Sequence, residues 1–438
     1  MTKKLFRSLD LYSQGWCADY SLCDEKWDFD LHPPPYSIMG AGRSITGAFF
    51  GEDTCVIRLS EKNPTIELDS HSNIVRVSAA ATVTQVYNYL IQRKRILKGL
   101  PSYPGVTVGG CIAANVHGQH HYREGCFGNH IVSLVLEHPA HGTREITRNE
   151  HSDLMDLTIG GFGLTGVIRE AVIRVFPIHT DTLSVAITKF QSFLECYESL
   201  MADRQNVDYF HGWADLTRLS TDCQKGFYFR GYCKNGRGIS ASMIPQEKHR
   251  KQHLVWQPRL FTGFALKTIN KIYYHSHTKL PPNHKTLSDF IFPSKNKLWY
   301  FSMFGKDGII EHQVLVPHEA VQSYFQELNN TLIAQQPFIA LCHMKLFRGK
   351  QKLLNFDGDG FCLAMHFKAD DRSFRTLKRL DQINIEHGVI TNIIKDSRVR
   401  GDVLKQQYSE FDEFLQKIHL YDPKRLIQNT ISQKLFSV

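Results

Sequence analysis

Leu100-Pro-Ser-Tyr-Pro-Gly-Val-Thr-Val-Gly-Gly-Cys-Ile-Ala-Ala-Asn-Val-His-Gly-Gln-His-His121 is the most informative stretch of the 438-residue chain. Small residues from Gly109 to Ala114 let backbone pass close against a flat ligand, while Thr107, Asn115 and His117 supply polar contacts. Packing alone does not call for that combination. Upstream, Met39-Gly-Ala-Gly-Arg-Ser-Ile-Thr-Gly47 directly follows a strand pattern. Successive N–H groups in such a loop can point into one concavity and bind an anion, although a turn with a few glycines is by itself an ordinary feature. Downstream, Thr158-Ile-Gly-Gly-Phe-Gly-Leu-Thr-Gly-Val-Ile168 runs into a further strand pattern. Three glycine-rich segments in this order, set in a strand-rich frame, form a joint signal.

Working outward, short runs rich in Val and Ile predict strands at Tyr36–Gly40, Cys55–Leu59, Thr65–Leu68, Ile74–Ser78, Val132–Glu137 and Gly166–Phe176. Val83, Val86, Tyr87 and Leu90 recur at helical spacing and predict a helix over Val83–Arg93. From about His179 the elements lengthen, with Phe338–Phe347, Gly360–Phe367 and helices near Glu319–Ala334 and Arg372–His387. The class is α+β, with a second domain beginning near His179. Asp422-Pro-Lys-Arg-Leu-Ile-Gln-Asn-Thr reads as the start of a terminal helix with Pro423 in its first turn.

Hydrophobic residues at 42% and aromatics at 11% can fill real cores. No run reaches the roughly 18 apolar residues of a membrane span, and the first ten residues lack a signal-peptide core. The ten cysteines form no CxxC pair, which fits a reducing compartment, so a cytoplasmic protein is expected. A net charge of +9 favours an acidic partner. No RNA-recognition or helix-turn-helix pattern supports nucleic acid, and the histidines lack metal-ligand spacing, so no metal is assigned.

The Gly-Arg-Ser loop, the Val-Thr-Val-Gly-Gly segment and the Gly-Phe-Gly-Leu-Thr-Gly-Val-Ile segment together resemble the FAD-binding domain of the vanillyl-alcohol-oxidase (PCMH-type) family. Asn115-Val-His-Gly-Gln-His-His121 and Gly125-Cys-Phe-Gly-Asn-His130 resemble its members that oxidise polyprenyl-phosphate-linked pentoses. The likeness continues through Glu311-His-Gln-Val-Leu-Val-Pro, Lys345-Leu-Phe, Phe361–Phe367, Lys395-Asp-Ser-Arg and Asp422-Pro-Lys-Arg, and so spans nearly the whole chain after Ile38. It implies an FAD-binding domain over 15–178 in two parts, a substrate or cap domain over 179–390 built on an antiparallel sheet with helices, and a C-terminal segment over 391–438 that returns to the FAD site. Gly42, Arg43, Ser44, Thr46 and Gly47 would cradle the pyrophosphate. Thr107, Gly109 and Gly110 would continue that wall, Ala114, Asn115, Val116 and His117 would lie against the flavin, and Ile168 would complete the cofactor contacts. Gln313, Lys345 and Lys395 would face the substrate together with His117. Lys395 follows the apolar pair Ile393-Ile394, a pattern that also fits a strand end at the surface. Family members with covalent flavin use a histidine in the first loop; Arg43 stands in that region here, which implies non-covalent FAD. Ile45, Glu311, Cys362, Ala364 and His366 depart from the pentose-oxidase pattern. The stretch 16–35 is short for the strand and helix that usually precede the first loop.

The implied reaction is oxidation of a secondary hydroxyl on a sugar, with an epimerising short-chain reductase as pathway partner. A soluble alditol or aldonolactone oxidase is the alternative, and a non-catalytic, membrane-associated flavin-binding protein is a second. Between Glu247 and Lys285 stand eight Lys and Arg against one acid. Phe261, Phe264, Ala265, Ile269 and Ile272 recur there at helical spacing, with Lys267 and Lys271 on another face. This is the pattern of an interfacial helix for an anionic membrane surface, and equally of a helix packed on the second domain with a solvated basic side.

Overall fold

In the computed structural model, the structure describes residues 3–23, 29, 32–61, 63–219, 224–233, 238–245, 257–278 and 283–438. Its α+β class is the expected one, and the part before residue 179 has two main sheets. In the first, Gln14–Cys23, Cys55–Ser60 and Tyr36–Met39 run parallel, and Lys3–Arg7 adds an antiparallel edge. The second is wholly antiparallel in the order Ile66–Asp69, Ile74–Ser78, Val167–Arg174, Ile131–His138, Gly142–Thr147. The first edge is therefore completed by residues 3–23, ahead of position 15, where the domain was expected to start. Leu5 pairs with Trp16 and Tyr20 with Ile57 in one continuous ladder, which joins Lys3–Arg7 to this sheet.

The helix predicted from Val83 runs to Ile91 and is held at its start by a capping box between Thr82 and Gln85. Its buried side, Val83, Val86, Tyr87 and Leu90, joins Val75, Ile112, Leu134 and Ile173 in the largest apolar core.

The second domain carries an eight-stranded sheet in the order Asn283–Thr286, Thr182–Phe190, Gly226–Tyr232, Tyr209–Ala214, Ile339–Phe347, Gly360–Lys368, Ile309–Pro317, Ile390–Thr391, antiparallel throughout. Two-residue alternation divides its central strands between two environments. Ile310, Val314, Val316, Leu363, Met365, Met344 and Leu346 pack beneath the helices Val321–Gln335 and Asp371–Glu386 through Leu328, Leu332, Leu377 and Leu380. Glu311, Gln313, Cys362, Ala364, His366, His343 and Lys345 occupy the alternate positions, in the register Glu311 opposite His366, Gln313 opposite Ala364 and Lys345 opposite Cys362.

The C-terminal residues return to the first sheet: Tyr36 N–H donates to Leu426 O at 2.7 Å, and Asn429 Nδ2 donates to Ala48 O and Phe162 O. The terminal helix runs only from Thr430 to Leu435 with Asn429 as its cap. Pro423 is not in its first turn, because Asp422 ends the preceding helix Phe411–Tyr421 and its carboxylate accepts from Ile427 N–H to hold a turn there. In the basic segment, the helix Gly263–Thr278 buries Leu266 and Asn270, whereas Phe264, Ile269 and Ile272 are exposed. Lys248, Arg250, Lys251 and Lys279 lie outside the described residues. No helix among the described residues is long and apolar enough to cross a membrane.

Candidate active site

The first glycine loop leaves Met39 at a strand end and turns at Gly42, which has φ +61°. Among the described residues, the backbone N–H groups of Arg43, Ser44, Ile45, Thr46 and Gly47 meet no acceptor, and Arg43 forms no ion pair. The loop touches the middle segment so closely that a Cβ on Gly40 would lie 2.2 Å from Thr107 Oγ1. Gly47 abuts the terminal helix, where a Cβ would lie 2.3 Å from Thr430 Oγ1.

The middle segment differs in kind. Val108 and Gly109 N–H donate to Ala81 O and Ala79 O at 2.8 and 2.9 Å, and Gly110 N–H donates to Thr107 Oγ1 at 3.2 Å. The Val108, Gly109 and Gly110 N–H groups are thus occupied, so Gly109 and Gly110 offer close approach and not hydrogen bonds. A Cβ on Gly110 would meet only Thr107 Oγ1, at 3.2 Å. Asn115 adopts φ +40° and its Oδ1 accepts from Gly128 N–H, and Ala114 to His117 remain partly exposed. Ile168 is buried in the domain core, paired opposite Leu136, so its side chain serves packing and only its backbone could face a cofactor.

His117 joins this segment to the alternate face of the large sheet. Asn392 Nδ2 donates to Gln313 Oε1 at 2.7 Å, which turns Gln313 Nε2 toward His117 Nε2 at 3.2 Å. An N–H donor on Nε2 leaves the imidazole proton on Nδ1. Burial, then Lys345, His121 and Lys395, push His117 well below its usual range and keep it neutral. Lys345 is buried on the same face, and its ammonium has no hydrogen bond or ion pair among the described residues. Burial lowers its ammonium to about 8.

Lys395 comes from the loop after Ile390–Thr391. Asn392 O accepts from Lys395 and Asp396 N–H, while buried Asp396 accepts from His312 at 2.9 Å and from Arg398 at 2.8 Å. Burial would raise the Asp396 carboxyl, yet Arg398 and His312 hold it well below the carboxylate range and so pin the loop. Lys395 Nζ then reaches Glu311 Oε1 at 3.3 Å. Burial opposes ionisation of Glu311 too, but Lys395 and His366 outweigh it and bring the carboxyl to about 2.

Residues 32–148 match the FAD binding domain family. The chain is 26% identical over 411 residues to decaprenylphosphoryl-beta-D-ribose oxidase of Mycolicibacterium smegmatis, covering 90% of this chain and 88% of that protein. Shorter matches reach D-lactate dehydrogenase of Archaeoglobus fulgidus, 27% identical over 35% of this chain and 36% of that protein. L-galactono-1,4-lactone dehydrogenase of Arabidopsis thaliana is 23% identical over 40% of this chain and 28% of its own length. The chain is an FAD-dependent oxidoreductase.

The oxidoreductase has a cradle that fits FAD, since five successive N–H groups without an acceptor suit a pyrophosphate and the glycine wall suits a planar ring. The structure brings His117, Gln313, Lys345 and Lys395 together. Sequence reading missed Asn392, which orients Gln313, and it noted Glu311 and His366 only as departures. Their common face shows in the sequence as alternation in Glu311-His-Gln and Cys362-Leu-Ala-Met-His, but the partner strands do not. His121, Cys126 and Asp357 also converge in the oxidoreductase and could hold an ion by spacing. Arg348 N–H donates to His121 Nδ1, however, so the proton sits on Nε2 and points at Asp357 Oδ1, 3.0 Å away. That cluster is satisfied by hydrogen bonds.

Proposed function

We propose that this oxidoreductase oxidises a secondary hydroxyl of a sugar, a pentose carried on a polyprenyl phosphate, using FAD held without a covalent link. The carrying observation is the apposition of His117 with Gln313, Lys345 and Lys395 on one face of the large sheet. Similarity over 90% of the chain to an oxidase named for decaprenylphosphoryl-ribose supports the choice of sugar, and Arg43 in the first loop supports non-covalent attachment.

Bound FAD supplies a hydride acceptor for the alcohol carbon. Lys345, titrating near about 8 without a competing partner, is the group we assign to take the hydroxyl proton. Lys395, ion-paired to Glu311, supplies fixed positive charge for the developing alkoxide. Neutral His117 carries its proton on Nδ1 and orients the reacting group. The product is a ketone, and a short-chain reductase that reduces it from the opposite side would complete an epimerisation. We assign the FAD-binding role to residues 15–178 with the edge strand Lys3–Arg7, substrate contact to 179–390, and delivery of Lys395 to 391–438.

A polyprenyl chain stays in the bilayer, so the enzyme must approach its surface. The helix Gly263–Thr278 supports a peripheral docking face, with Phe264 83% and Ile272 63% exposed beside Lys267 and Lys271, and Leu260 and Trp299 exposed nearby. We place that contact at the cytoplasmic leaflet, whose anionic lipids attract such a face. The partial likeness to aldonolactone dehydrogenases favours the soluble substrate as the competing reading. Anaerobic flavin bleaching decides between them. A polyprenyl-phosphoryl pentose should bleach the holoenzyme, and bleaching by soluble alditols or aldonolactones alone would overturn the proposal.

A further inference from the structure

Beyond the four side chains assigned above, a polar chain runs from Lys395 away from the flavin loops. Glu311 is 6% exposed and receives Lys395 Nζ at 3.3 Å on Oε1 and 3.5 Å on Oε2. Directly across the strand pair, His366 Nε2 lies 3.5 Å from Glu311 Oε2. His366 Nδ1 in turn lies 3.1 Å from Tyr300 OH. Tyr300 belongs to the short helix Leu298–Met303, and its ring is gripped by Phe261, Phe301 and Phe304.

The donors along this chain run one way. Burial, then Glu311, keep the Tyr300 phenol protonated, so its O–H donates to Nδ1 and leaves the His366 proton on Nε2, aimed at the carboxylate. Lys395 and His366, from two other elements, thus meet on one buried anion, with Tyr300 behind His366. A buried carboxylate with a single partner is poorly held, and a second donor fixes its orientation.

We propose that His366 is a positioning residue: with its tautomer set by Tyr300, it fixes the Glu311 carboxylate so that the Lys395 ammonium is held and directed into the site. The proposal rests on the functional reading only for what Lys395 then does; the geometry of its hold is independent of turnover. The other titratable groups facing this carboxylate are Lys345, His343 and Cys362. Cys362 lies on the strand paired with that of Glu311, Lys345 and His343 lie on the next strand beyond it, and among the described residues none of the three hydrogen-bonds to Glu311.

The test is competitive acetylation of the FAD-loaded protein with acetic anhydride across pH, reading the Lys395 peptide by mass spectrometry. His366→Leu should raise Lys395 reactivity near neutral pH about tenfold, because the carboxylate that holds its ammonium is no longer fixed. His366→Gln, which retains an N–H donor, should restore most of the protection. Tyr300→Phe should raise reactivity in the same direction by a smaller factor. Half-buried Lys434, which donates to Ser397 O, should be unchanged, whereas general loosening of the fold would raise it as well. Coincident Lys395 curves for wild type and His366→Leu overturn the proposal. Should that variant not fold, an unchanged curve for Tyr300→Phe overturns it instead. Loss of redox activity is not the readout, so a wrong substrate leaves this result standing.

Discussion

Replacing Lys345 with methionine should make the protein more stable and less active at once. The ammonium lies on a strand buried on both faces, with no acceptor among the described residues. Burial is the largest influence; Cys362 and Glu311 oppose it and Lys395 adds to it, and the net result is a fall from 10.5 to about 8. At about 1.4 kcal/mol per unit, the charged form destabilises the fold by about 3 kcal/mol. Between about 8 and 10.5 the unfolded chain binds this proton and the folded chain does not, so stability rises with pH across that window. Below about 8 both states are protonated and the full penalty applies. Methionine matches the length without the charge. Urea unfolding of holoprotein in saturating FAD should show Lys345→Met stabilised by up to about 3 kcal/mol near pH 7, with the advantage shrinking toward pH 10. Flavin reduction in the wild type should rise with pH through about 8, and that limb should vanish in the variant with a loss of roughly 10²–10⁴-fold. A variant less stable than wild type at pH 7, or one with the same advantage at both pH values, would refute the reasoning.

Lys395→Ala should retain FAD and lose flavin reduction by roughly 10²–10³-fold, measured anaerobically by absorbance; reduction at the normal rate would make Lys395 structural. Gly110→Val should abolish FAD retention on gel filtration, because the new side chain has only Thr107 Oγ1 beside it among the described residues and would extend into space that we assign to the cofactor. Acid precipitation should leave flavin in the supernatant, and colour in the pellet would show a covalent link. Co-sedimentation with anionic liposomes should weaken with salt and in Lys267→Glu/Lys271→Glu, at about 1 kcal/mol per cation, and equal binding to neutral liposomes would count against the docking face.

What sequence determined here is local. The strands at Tyr36 and Ile74, the helix at Val83 and the three glycine loops follow from side-chain period and backbone freedom, which act within a few residues. Side-chain pattern indicated an α+β protein, while FAD and the candidates His117, Gln313, Lys345 and Lys395 came from the resemblance of the glycine loops and later segments to the vanillyl-alcohol-oxidase family. The terminal helix was misplaced because Pro423 fits the first turn of a helix as well as it fits the turn that Asp422 closes, and only the contact with the first sheet decides. Residues 3–23 gave no cue of their own, since an edge strand is stabilised by the neighbour it pairs with. The same reason hid the chain from Lys395 through Glu311 and His366 to Tyr300, and the one from Asn392 through Gln313 to His117. These links join residues up to 196 positions apart. Strand register sets which side chains meet, and register is fixed by packing of the opposite, apolar face of the sheet.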